Sequence, residues 1–180
     1  DNGMLMLTSD FFDTPLPDPV PAAFAVPRFI FSSSQLIQEV PADPHLYTEA
    51  EEVTLSARLW TQGFDIYSPG SILLYHLYNN DGNQRPLHWK DHPSWAALQT
   101  ASRQRYRYIL QIDVPRAHEL VPDLDVYGLG KVRTFAQYSE FCGIDFKARG
   151  ATPQAERCAF ITAIRQHKNV ATFWLPPTPT

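Results

Sequence analysis

The sequence predicts an α/β domain, and three observations carry that expectation. Short apolar runs such as Phe29-Ile30-Phe31 and Ile72 to Tyr78 read as strands and alternate with segments of helical periodicity. Proline makes up 16 of 180 residues, well above the usual ~5%. Proline breaks helix interiors, which argues against a helical bundle or coiled coil. The 44% hydrophobic content, with 13% aromatic, supplies enough apolar surface to offset ordering entropy and argues against a disordered chain. The length suits a single unit, residues 1–180, with no internal repeat and no visible domain boundary.

The elements follow in order. Pro15, Pro17, Pro19, Pro21 and Pro27 make residues 1–28 an extended lead-in. Phe29-Ile30-Phe31 is expected as a buried strand, and Ser32 to Ser34 as the cap of a short helix over Gln35 to Glu39. Pro41-Ala42-Asp43-Pro44-His45 is a turn by composition. Thr48 and Glu51 match a capping box. Behind it Ala50, Val53, Ala57 and Trp60 recur at helical spacing, widened by Leu55 and Leu59, and Gly63 closes the helix. Phe64 to Tyr67 and Ile72 to Tyr78 are expected strands joined by Ser68-Pro69-Gly70. Ser94 caps a helix over Trp95 to Leu110. Thr134 with Gln137 opens another that Gly143 ends, and Thr152-Pro153 starts a last helix reaching Gln166. The segment from His88 to His92, near Pro86 and Pro93, reads as a loop.

Charge narrows the function classes. A net charge of −4 opposes nucleic-acid binding through bulk positive charge. No run of residues approaches the ~20 apolar positions of a membrane span. Two cysteines, Cys142 and Cys158, make neither a disulfide framework nor a metal knuckle. A reducing, cytoplasmic setting is expected, or a secretory one where the parent protein carries an N-terminal anchor.

Five constellations carry chemical potential. Glu51 and Glu52 open a helix, where carboxylates complement the macrodipole and complete a cap. Carboxylates of this kind also hold sugar hydroxyls or stabilise positive charge at an anomeric carbon. His76 stands near the end of an apolar strand before a polar loop, a common place for a metal ligand, and also an ordinary place for a packed histidine. His88 and His92 have the spacing of a zinc pair, without an intervening glutamate. Asp123-Leu124-Asp125 is a D-x-D tripeptide, but 12 aspartates in 180 residues yield about one such match by chance. Arg103, Arg105 and Arg107 interleave with Tyr106 and Tyr108, as in some nucleic-acid sites. The acidic total favours a solvated face with at most one phosphate contact.

The stretch VPADPHLYTEAEEVTLSARLWTQGFDIYSPGSILLYHLYN, Val40 to Asn79, resembles the hydroxyproline and mucin-type polypeptide N-acetylglucosaminyltransferases that use UDP-GlcNAc. Matching positions are Pro41, Asp43, Pro44, His45 and Leu46, then Glu51 and Glu52. Ala57, Arg58, Leu59, Trp60, Thr61, Gly63, Phe64 and Asp65 follow, and then Tyr67, Pro69, Tyr75, His76 and Leu77. Residues Tyr127 to Phe146 carry a weaker second similarity, with G-x-x-R-[ST] at Gly130 to Thr134. Residues 23–40 are similar to the family's preceding strand and helix.

The resemblance implies a Rossmann-like A-type glycosyltransferase fold, of which this chain is the C-terminal, acceptor-side part with a mixed sheet and flanking helices. It implies a UDP-GlcNAc donor, a protein or glycan acceptor, and a divalent cation, expected to be Mn²⁺, held by His76 on the donor diphosphate. Retention of configuration follows from the family's α-linked products. Glu51 and Glu52 take the catalytic positions, and Asp43, His45, Arg58 and Trp60 the substrate-binding ones. Ala50 stands where the family has glycine before the glutamate pair. The nucleotide-binding half with its own D-x-D belongs N-terminal to this chain, so Asp123-Leu124-Asp125 cannot serve for it. Two other functions remain open: a non-catalytic module binding glycan or protein through aromatic residues, and a zinc hydrolase built on His88 and His92.

Overall fold

The computed structural model describes residues 4–5, 7, 15–75, 88–113 and 121–156. Through them run β1 (Val20–Pro21), α1 (Gln35–Glu39), α2 (Glu51–Gln62), β2 (Tyr67–Ser68), α3 (His88–Asp91) and α4 (Trp95–Ile109). The order continues with α5 (Leu124–Tyr127), α6 (Phe135–Cys142), β3 (Ile144–Asp145), β4 (Gly150–Ala151) and α7 (Pro153–Glu156). Strands β1 and β2 pair antiparallel with Val20 opposite Ser68; β3 and β4 do so with Ile144 opposite Ala151. The chain thus mixes helices with small sheets. Among the described residues the strands form two two-stranded antiparallel ladders and no larger sheet. No helix there is long and apolar enough to cross a membrane.

Helix α2 is the hub, buried continuously from Val53 to Thr61. One side, Ala50, Val53, Ala57 and Trp60, packs against Tyr106, Ile109 and Leu110 and against Tyr138, Cys142, Ile144 and Phe146. Another, Leu55 and Leu59, packs on Ala25 and Val40. A helix buried on every side must satisfy its polar residues internally. Thr54 and Thr61 do so by donating to the carbonyls of Ala50 and Ala57, each at 2.6 Å. Ser56 donates to the carbonyl of Glu52 and accepts the amide of Ala25 at 2.8 Å. Tyr138 Oη donates to the carbonyl of Ala23 at 2.9 Å, which pins the same proline-rich strap from α6.

Caps behave unevenly. Thr134 and Gln137 make both bonds of the capping box, and Gly63 and Gly143 end their helices in the left-handed conformation. The box expected at Thr48 and Glu51 does not form. Thr48 has φ +59 and enters a 3₁₀ turn, Thr48–Ala50, and α2 begins without a side-chain cap. The reason is tertiary. Ser102 Oγ on α4 accepts the amide of Tyr47 at 2.9 Å and donates to its carbonyl at 3.1 Å. That clamp sets the incoming backbone and overrides the local signal. Ser34 and Ser94 likewise precede their helices without a side-chain bond.

Three other expectations are corrected. Phe29-Ile30-Phe31 is neither a strand nor buried, and Phe31 is 93% exposed. Residues 72–75 are exposed and carry no strand either, and the rest of that expected strand lies outside the described residues. A short apolar run becomes a strand only beside a partner ladder, and among the described residues neither run has one. The segment His88 to Asp91 forms the helical turn α3 instead of a loop, since Pro93 stands beyond its end, where proline is compatible with a helix stop. The helix expected to reach Gln166 is described only as α7; its remainder lies outside the described residues.

Candidate functional site

The turn at Pro41 to His45 is fixed by two buried arginines from different helices. Arg105 of α4 donates through Nε to Asp43 Oδ2 at 2.6 Å and through Nη1 to the carbonyl of Pro122, also at 2.6 Å. Arg58 of α2 donates through Nη2 to the carbonyl of Pro41 at 2.8 Å. Each arginine is 2% exposed, and the Asp43 side chain is fully buried. The second oxygen of Asp43 accepts the amide of His45 at 3.0 Å, an Asx turn that orients the histidine. With both oxygens engaged, the buried Asp43 carboxylate holds the turn in place.

His45 Nε2 lies 2.9 Å from Asp123 Oδ2, with the two side chains 35% and 57% exposed. Asp123 precedes α5 at φ +54, a left-handed conformation that aspartate tolerates. The Tyr127 ring, on the same short helix, makes an edge contact with His45 at 6.0 Å between centroids. Its face lies 5.8 Å from the Arg58 guanidinium carbon. This imidazole–carboxylate couple at the surface can hold or pass a proton and orient a hydroxyl. Burial pulls the Arg58 guanidinium below its ordinary range. The Asp43 charge opposes that shift and the Arg105 charge adds to it.

Glu51 and Glu52 occupy the first turn of α2, Glu51 exposed and Glu52 half-buried. Their backbone carbonyls accept the hydroxyls of Thr54 and Ser56, and their carboxylates belong to the first turn, where the helix dipole favours negative charge. Trp60 belongs to the aromatic core. It is 5% exposed, stacked on Phe141 at 5.5 Å between centroids, with the Arg133 guanidinium carbon 4.8 Å from its ring. His76 lies outside the described residues. Among those described, no three His, Cys, Asp or Glu side chains gather as a metal site.

The arginine-rich face of α4 is a further correction. Arg105 is a buried structural cation and not part of a solvated face, while Arg107 pairs with Asp113. Sequence reading did not connect Arg105, Asp123 and Tyr127 with the Asp43 turn. The 62 residues between Asp43 and Arg105 conceal the pairing, and charged residues alternating along a helix ordinarily mark an exposed surface. The D-x-D tripeptide supplies Asp123 as the partner of His45.

The two stretches that sequence similarity picked out fold on one another. Gly130 N donates to Thr61 Oγ1 at 2.8 Å, and the amides of Val132 and Arg133 both donate to the Thr61 carbonyl at 3.0 Å. Arg133 Nη2 then pairs with Asp65 Oδ1 at 2.8 Å. No curated protein and no solved structure matches the chain. Residues 1–148 match the family described as Glycosyltransferase (GlcNAc), a span that takes in α2, the Asp43 turn and the Gly130 loop. On that match, which covers most of its length, the chain belongs to the GlcNAc glycosyltransferase family.

Proposed function

We propose that this chain is the acceptor-side part of an enzyme that moves N-acetylglucosamine from UDP-GlcNAc to a hydroxyl of hydroxyproline, serine or threonine in a protein, with retention. The observation that carries the reading is the family match over residues 1–148. The Asp43, His45 and Arg58 cluster supports it as a built polar site on the buried hub helix. Glu51 and Glu52 act on sugar or acceptor hydroxyls, with His45 and Arg58 on the substrate side and Trp60 supporting the helix from the core. His76 holds Mn²⁺, which when bound neutralises charge on the leaving diphosphate. The Rossmann-like A-type fold belongs to this same reading, through the resemblance of Val40 to Asn79.

The test is transfer and UDP-sugar hydrolysis by the full-length protein, with Mn²⁺ and with EDTA. Glu52→Ala and His76→Ala are each expected to lower the rate by about tenfold or more, or about 1.4 kcal/mol of barrier. Unchanged rates in both variants would refute the site assignment. Absence of any Mn²⁺-dependent turnover would favour the second reading, a glycan- or protein-binding module, which the exposed rings of Phe31 and Tyr75 support.

A further inference from the structure

Among the described residues, Arg58 and Arg105 are buried around a single carboxylate. Among the described residues Asp43 is the carboxylate that serves both guanidinium groups, bonded to Arg105 and acting on Arg58 through its charge, while Asp123 is 57% exposed and engaged with His45. Arg58 spends Nη2 on the Pro41 carbonyl; Arg105 spends Nε on Asp43 and Nη1 on the Pro122 carbonyl. Arg58 Nε and Arg105 Nη2 are buried with no hydrogen-bond partner among the described residues. Burying an unmatched cation with idle donors is strongly unfavourable, and native structures rarely retain one without use. The depressed proton affinity of Arg58 reflects the same burial and the same neighbouring cation.

We infer that Arg58 and Arg105 form the receptor for a phosphate oxyanion, which balances the surplus charge and accepts from Arg58 Nε and Arg105 Nη2. Guanidinium groups match phosphate in both charge and donor geometry. The Tyr127 ring lies against the Arg58 guanidinium and edge-on to the His45 ring, whose side chain is 35% exposed, so the cluster comes nearest to solvent on this side. The phosphate arrives free or as part of a nucleoside diphosphate. The inference deepens the transferase reading at Arg58, but its readout is binding, so the two fail separately.

The experiment is thermal unfolding of the chain in metal-free buffer, with inorganic phosphate titrated against chloride at equal ionic strength. Phosphate is expected to raise Tm saturably in the low-millimolar range, by about 5 °C at one hundred times its dissociation constant. Arg58→Met removes the surplus charge. It is expected to lose that response while melting in chloride within about 3 °C of the wild type. UDP in place of phosphate identifies the source: a stronger rise points to a nucleotide, an absent one to the free anion. Equal Tm in phosphate and chloride for the wild-type chain would overturn the inference without any variant. A phosphate response surviving in Arg58→Met would overturn it too.

Discussion

Arg105 Nε and Asp43 Oδ2 meet at 2.6 Å across 62 residues of sequence, and neither side chain is open to water. The pair ties α4 to the turn that carries His45, so the placement of a surface histidine depends on a buried ion pair. Removing one partner of such a pair leaves the other charged and unmatched. Asp43→Ala is expected to destabilise the chain by about 3 kcal/mol or more. In urea unfolding, the double variant with Arg105→Met should lose much less than the sum of the singles. Additive losses would show that the pair is not coupled.

Gly130 lies against α2 so closely that an added Cβ would stand 2.4 Å from the Gln62 amide nitrogen and 2.5 Å from the Thr61 carbonyl carbon. Both obstacles are backbone and cannot swing aside. Gly130→Ala must push the loop off the helix and loosen the Thr61 bonds to Gly130, Val132 and Arg133. We expect a loss of about 2 kcal/mol or more, seen as a lower urea midpoint at unchanged slope. A midpoint equal to that of the wild type would show that the loop is not held against α2.

Trp60 packs against Tyr138 and Phe141, and the Arg133 guanidinium lies over its ring. Truncating a buried tryptophan costs about 3–5 kcal/mol. Trp60→Phe keeps much of the stack and is expected to cost less than half of what Trp60→Ala costs. Chemical denaturation of both variants measures the ratio. Equal losses would mean that a phenyl ring recovers none of the indole's contacts with Tyr138, Phe141 and Arg133.

Cys142 is fully buried in the core, and burial pushes its thiol up to about 12. Thiolate is the reactive form, so Cys142 should resist iodoacetamide at pH 8 in the folded chain and react once urea is added. Peptide mapping separates it from Cys158. The same shift sets an alkaline limit. Above its ordinary value of 9.0 the unfolded thiol ionises while the folded one stays protonated. The unfolded state then binds fewer protons, so this group's effect is nil below pH 9 and lowers stability progressively from there toward 12. Tyr106 and Tyr138, both raised mainly by burial, act in the same direction. A Cys142→Ser variant should flatten the alkaline part of the pH–stability curve, and an unchanged curve would assign the loss elsewhere.

Local signals were legible where local bonds satisfy them. The Thr134 box closes within one turn, and Gly63 and Gly143 need only a left-handed φ at a helix end, so spacing alone locates them. The apolar positions of α2 also announced a helix. Their spacing did not announce burial on every side, because Thr54, Ser56 and Thr61 read as polar until their hydroxyls are seen bonded to their own helix. Glu51 and Glu52 were placed correctly in the first turn of that helix, although its start is set by the Ser102 clamp and not by Thr48.

What the sequence by itself determined is the set of helices with strong periodicity, the glycines that end two of them, and the family, which a long ordered string of residues makes legible. What only the tertiary structure decided is which polar residues meet. The burial of Arg105, the union of Asp43 with it, the approach of Asp123 to His45 and the exposure of Phe31 all depend on partners far away in the chain. A charge or an apolar ring has no preference for interior or surface until those partners supply a counter-charge, a carbonyl or a packed neighbour. That is why the hub helix was readable before the site it holds.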